Sequence, residues 1–245
     1  MRPTLLLALP LLSCSHAATV NVYLAGGQSN ATGTWASSIE STLQASPGAN
    51  QIEVVHIAHS GSPMWQWTWG GVRRDFYNAD LAAIQAKVSE IEDNGDTAVF
   101  SGIFWFQGEG DTGAPSTIPL YESRFQDMLS FYQQDLGLAA LPNFALAIID
   151  ANPDPFYDNP ANLGATREAV DQMRTALANL GNLSNGSAVD TRGLTRADGW
   201  HLVPNHQLLL GQSMAHTFNA NFLVPEPSTM LLSFVSLGLL AHRRR

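Results

Sequence analysis

One mostly parallel sheet between two helical layers, an α/β sandwich, is the fold this 245-residue sequence predicts. Three observations predict it. Short apolar runs alternate with amphipathic stretches along the chain. Runs such as F-A-L-A-I-I are apolar on both faces, as strands covered from both sides must be. Polar clusters stand directly after the first three runs, where the loops of such a sheet gather at its carboxyl edge.

The strands follow in order as Val20 to Ala25, Ile52 to Ala58, Ala98 to Phe106, Phe144 to Ile149 and a weaker one near Ala188 to Asp190. Helical patterns fall at Asp80 to Glu92, Tyr121 to Leu136, Thr166 to Leu180 and His206 to Asn219. In the first of these, Leu81, Ile84, Val88 and Ile91 recur at helical spacing, and Asn94-Gly95 closes it. Asp150 to Asn162, rich in Pro, Asn and Asp, reads as one long surface loop, with no internal repeat and no interdomain linker. The chain is 45% hydrophobic and 13% charged, which argues against disorder. A formal net charge of −9 with only 12 Lys plus Arg makes nucleic acid an unsuitable partner, since such a surface repels phosphate.

Both ends read as addresses rather than fold. Met1-Arg2, the apolar Leu5 to Leu12 and the small residues ending at Ala17 form a secretory signal, residues 1–17. The single cysteine, Cys14, lies inside it; L-L-S-C also fits a lipidation box, though Leu12 suits that poorly. The mature domain, 18–222, then has no cysteine and no disulfide. In the last segment, 223–245, the apolar run Thr229 to Ala241 is 13 residues, shorter than the ~20 that span a bilayer comfortably. V-P-E-P, that short apolar run and Arg243 to Arg245 resemble, in order, the PEP-CTERM sorting tail of bacterial surface proteins. The resemblance implies export to the cell surface or beyond, transient membrane association and removal by a sorting protease. A plain C-terminal anchor is the alternative.

Four polar constellations carry the chemistry. Gly27-Gln28-Ser29-Asn30 follows the first strand, where a serine in a strand-to-helix turn exposes its Oγ; a simple cap by Ser29 or Asn30 is the plainer alternative. His59-Ser60-Gly61-Ser62-Pro63 follows the second, and Gly61 lets backbone approach a ligand closely. Trp105-Phe106-Gln107-Gly108-Glu109-Gly110-Asp111 ends the third. Asp198-Gly199-Trp200-His201 precedes the last helix, with a spacing that lets the carboxylate reach His201 Nδ1 and leave Nε2 free. Together they meet the needs of acyl transfer: a nucleophile in Ser29, a base in His201, an orienter in Asp198, and oxyanion donors in the Ser29 and Gly61 N–H groups and the Gln107 amide.

G-Q-S-N, the Gly-Ser-Pro turn, W-F-Q-G-E-G-D and D-G-W-H, in this order, resemble the SGNH-hydrolase superfamily, in the branch of sialate O-acetylesterases and acetylxylan esterases. The resemblance implies a three-layer αβα fold with a flavodoxin-like sheet, and deacetylation of an acetylated oligo- or polysaccharide by Ser29, His201 and Asp198 with no metal or other cofactor. Gly61 and Gln107 fall at its oxyanion positions. Glu109 falls at an acidic position that supports the histidine or braces Gln107. Ala31 stands where methionine is common, Ser60 replaces one of a glycine pair, and Asp111 follows Gly110 where serine is commoner. Trp65, Trp67 and Trp69 offer a sugar-stacking wall or, equally, packing under their loop. A non-catalytic polysaccharide-binding protein, and a metal-dependent hydrolase using Glu109, Asp111, Asp198 and His201, are the competing readings.

Overall fold

A computed structural model of the chain describes residues 17–151 and 165–222. The body of the signal, most of the 150–162 loop and the sorting tail lie outside the described residues.

The elements run β1 (Thr19–Gly27), α1 (Gly33–Gln44), β2 (Gln51–Ala58), β3 (Thr68–Trp69), β4 (Val72–Arg73), α2 (Asp75–Asp93), β5 (Thr97–Phe106), α3 (Glu109–Thr112), α4 (Tyr121–Asp135), β6 (Phe144–Ile148), α5 (Arg167–Gly181), β7 (Gly186–Asp190) and α6 (Pro204–Phe222). Five strands form one parallel sheet in the order β2-β1-β5-β6-β7, and β3-β4 is a separate antiparallel pair. All five expected strands are present. The helix expected from Asp80 starts five residues earlier, and Thr166 is the N-cap of α5, its hydroxyl accepting from Ala169 N at 3.1 Å.

The sheet is buried on both faces, which explains its near-continuous apolar strands. Tyr23 of β1 and Phe104 of β5 meet Phe218 of α6 on one side, whereas Trp105 turns to Phe125 of α4 on the other. Helices α1 and α6 pack together on the first face; α2, α4 and α5 cover the second. From β1 the chain steps outward to β2 and then crosses back to β5. The crevice between the carboxyl ends of β1 and β5 is therefore the topological switch point, where sites form in open parallel sheets.

Gly27 holds that crevice closed at its floor. Its φ is +142°, and a Cβ there would overlap the Phe106 carbonyl oxygen and lie 2.6 Å from its carbon. That carbonyl accepts from Gln28 N at 3.0 Å, so the end of β5 directly supports the turn carrying Ser29. Gly27→Ala combines a left-handed backbone with overpacking, each destabilising on its own. Its expected cost is about 1–3 kcal/mol, a Tm fall of about 3–10 °C for a domain of this size, read by thermal denaturation.

Candidate active site

The turn after β1 presents Ser29, half-buried, at the switch point. Its Oγ lies 2.7 Å from Nε2 of His201, and Nδ1 of that ring lies 2.7 Å from Asp198 Oδ2. The other Asp198 oxygen accepts the backbone N–H groups of Trp200 and His201, both at 2.7 Å. This carboxylate thus shapes the loop and orients the ring at once. Desolvation opposes its charge, but the His201 N–H, the His201 ring and the Trp200 N–H outweigh that, and its pKa lies below the ordinary carboxylate value. With the Nδ1 proton donated to Asp198, Nε2 is the acceptor for the Ser29 hydroxyl.

Gly61, exposed and at φ +69°, brings the loop after β2 to the same edge. Among the described residues, neither its N–H nor that of Ser29 donates to a protein acceptor. Behind this loop, His59 N donates to Gly27 O at 2.9 Å, and His59 Nε2 contacts Asp80 Oδ1 at 2.8 Å. Asp80 is fully buried and also accepts from Trp67 Nε1 at 2.8 Å. The ring of His59 stacks on Phe76, 4.0 Å between centroids. The loop carrying Gly61 is thereby tied to α2.

The Gln107 amide, expected as an oxyanion donor, is engaged within the protein. It is fully buried, and its Nε2 donates to Asp111 Oδ2 at 2.8 Å and to Ser62 O at 3.0 Å, which engages both amide hydrogens. Its work is to brace the 61–63 loop. Asp111 is buried too, its other contacts being Met64 N at 2.8 Å and Thr117 Oγ1 at 3.0 Å. Burial pushes its carboxyl up, against the pull of these donors. The spacing of Gln107 and Asp111, four residues apart, was the one sequence signal for this pairing.

Glu109 hydrogen-bonds neither the histidine nor Gln107. Its Oε1 accepts from Asn30 Nδ2 at 2.7 Å, and its Oε2 is buried without a hydrogen-bond partner among the described residues. Of the tryptophans, Trp67 is fully buried against His59, Phe76 and Trp105 and forms no wall. Trp65 is half-buried. Trp69 is 50% exposed, one face of its indole covered by the Arg124 guanidinium 4.4 Å from the ring centre.

A family model described as "carbohydrate esterase, sialic acid-specific acetylesterase" matches residues 38–220. The chain belongs to this family. Gly61, Gln107, Glu109, Asp198 and His201 lie inside the matched span, and Ser29 lies just ahead of it. A probable carbohydrate esterase of Arabidopsis thaliana is 28% identical over 121 residues, 49% of this chain and 40% of that relative. The chain therefore spans less than half of that relative's length in the alignment. In three dimensions the X-ray structure of the Arabidopsis protein covers 82% of this chain and 98% of its own, with TM-score 0.61 and 17% identity. A carbohydrate acetylesterase from Sinorhizobium meliloti gives TM-score 0.54 and 13% identity over 84% of this chain and all of its own. An aryl esterase of M. smegmatis gives 0.53 and 11% over the same shares. These likenesses show the fold, in agreement with the sheet order of this chain.

Proposed function

We propose that this protein is an exported serine esterase that removes O-acetyl groups from carbohydrate. One observation carries the reading: a continuous chain of 2.7 Å contacts from Ser29 Oγ through the His201 ring to the Asp198 carboxylate, at the switch-point edge. Family membership supplies the substrate class. In this reading His201 Nε2 takes the Ser29 proton as Oγ attacks the acetyl carbonyl. The tetrahedral oxyanion sits against the Ser29 and Gly61 N–H groups, which have no acceptor to give up among the described residues. His201 returns the proton to the departing sugar oxygen, leaving acetyl-Ser29 and the free hydroxyl. Water, deprotonated by His201, then releases acetate and restores Ser29. The exposed face of Trp69, held from behind by Arg124, offers a pyranose a flat apolar surface. The two terminal segments support export and a sorting protease as the processing partner.

Acetate release from a panel of acetylated xylan, acetylated sialosides and acetylated exopolysaccharide tests this. At least one should be deacetylated, with acetyl-Ser29 trapped as a +42 Da adduct by rapid acid quench, the mass of an acetyl replacing a hydrogen. Glycan binding without acetate release, unchanged in Ser29→Ala, would replace the reading with that of a binding protein.

A further inference from the structure

Asn30, next to the nucleophile in sequence, is 1% exposed and makes three hydrogen bonds, using both amide hydrogens and the carbonyl oxygen. Its Oδ1 accepts from Leu202 N at 3.0 Å, and its Nδ2 donates to Trp200 O at 3.1 Å and to Glu109 Oε1 at 2.7 Å. Trp200 and Leu202 are the two neighbours of His201. One side chain thus grips the base's backbone on both sides, and its own backbone continues directly from Ser29.

The base needs such a grip. His201 and Asp198 are substantially exposed, at 44% and 55% for their side chains, so little packing fixes the ring. The loop around them closes on itself, Ala197 N donating to His201 O at 2.7 Å and Arg196 bridging to Leu202, but these contacts do not reach the Ser29 turn. Glu109 adds a third contact to those with the Leu202 N–H and the Trp200 carbonyl, and all three require the same direction of the Asn30 amide. Were the amide turned over, Nδ2 would meet the Leu202 N–H and Oδ1 would meet both the Trp200 carbonyl and the Glu109 carboxyl oxygen. Burial pushes the Glu109 carboxyl up from its usual value, opposed first by the Asn30 donor. Its Oε1 accepts from Asn30 whether or not Oε2 carries a proton.

We propose that Asn30, its amide braced by Glu109, is the positioning residue that holds His201 at hydrogen-bonding distance from Ser29. The inference rests on the serine-esterase reading. A displacement of about 1 Å at a reacting pair is enough to cost about 10²-fold in rate, and losing the grip on both flanks of His201 allows that much.

The test uses the full chain and a soluble aryl acetate. Asn30→Ala should lower kcat about 10²-fold with KM within about threefold, and should slow labelling of Ser29 by a fluorophosphonate in parallel. A merely structural role would instead lower the folded fraction and leave kcat per titrated active site unchanged, which would overturn the inference. Asn30→Asp sets an oxygen against Glu109 Oε1, and adding Glu109→Gln supplies a donor for it. The double variant should recover at least tenfold of the kcat lost in Asn30→Asp. No recovery would count against Glu109 as a brace of that amide. Should Asn30→Ala not fold, Glu109→Leu against Glu109→Gln gives the same comparison, with the glutamine variant retaining the higher kcat; equal losses would overturn the role. Full activity in Ser29→Ala and His201→Ala would remove the underlying esterase reading. Activity lost in those two but kept in the Asn30 and Glu109 variants would remove the positioning role alone.

Discussion

Ser29→Ala and His201→Ala each lower kcat for a soluble acetyl ester by about 10⁶-fold, and the double variant is little worse than either. The contact between the two side chains is the reason. A hydroxyl is a poor nucleophile until a base takes its proton, and an imidazole in this position has nothing to deprotonate once the hydroxyl is gone. Groups that act as one unit do not lose rate independently. The residual activity of each variant should still exceed the uncatalysed rate, because the proposed oxyanion donors of Ser29 and Gly61 are backbone N–H groups that survive both replacements. Initial rates against matched buffer hydrolysis, with thermal melts to show that the variants fold, provide the measurement. Losses that multiply in the double variant would mean that the two groups act in separate steps; a wild-type rate in Ser29→Ala would end the mechanism.

The parts of this molecule that were legible in the sequence are those in which neighbours in the chain do the work. β1 and β5 were readable because central strands of a parallel sheet must be apolar on both faces, and the polar clusters after them mark where each strand leaves the core. Asp198 and His201 were readable because a three-residue spacing closes a local hydrogen bond. Helix α1 is hidden in the sequence: its Trp35, Ile39 and Leu43 repeat every four residues, but five Ser and Thr residues mask the apolar stripe. The β3-β4 pair has two residues per strand, too few for any period to show; Gly70-Gly71 at its tip was the available signal. W-Q-W-T-W suggested three rings on one face. The 3₁₀ turn at Met64–Gln66 breaks that alternation and sends Trp67 into the core while Trp69 stays out. Gln107, Glu109 and Asn30 were each recognisable as residues with a task. Apart from Asp111, four residues from Gln107, the partners that set each task lie 45 to 172 positions away, such as Ser62 for Gln107 and Leu202 for Asn30. No local pattern encodes such pairings.

Asp198→Asn isolates the orienting role from the shape of the loop. Asparagine keeps one oxygen, and the Trp200 and His201 N–H groups, both 2.7 Å from Oδ1, select it. The amide nitrogen then faces His201 Nδ1, which must become an acceptor and give up its proton to Nε2. In that tautomer Nε2 is a donor towards Ser29 Oγ and cannot take the serine's proton. The loop is preserved and the base is disabled, so kcat should fall about 10⁴-fold with little change in Tm. The acid form of the wild-type residue is no substitute for this experiment at ordinary pH. The folded-state pKa of Asp198 is depressed, so its contribution is fully present above the unfolded value of about 3.9 and is lost only as pH falls through the lower, folded value. The gap between wild type and variant should therefore persist across the neutral range. Above neutrality the variant's residual rate should rise with hydroxide, which removes the serine proton that the imidazole no longer accepts. A pH–rate profile for both proteins measures this, and an Asp198→Asn rate within tenfold of wild type at neutral pH would assign the orienting of His201 to some other group.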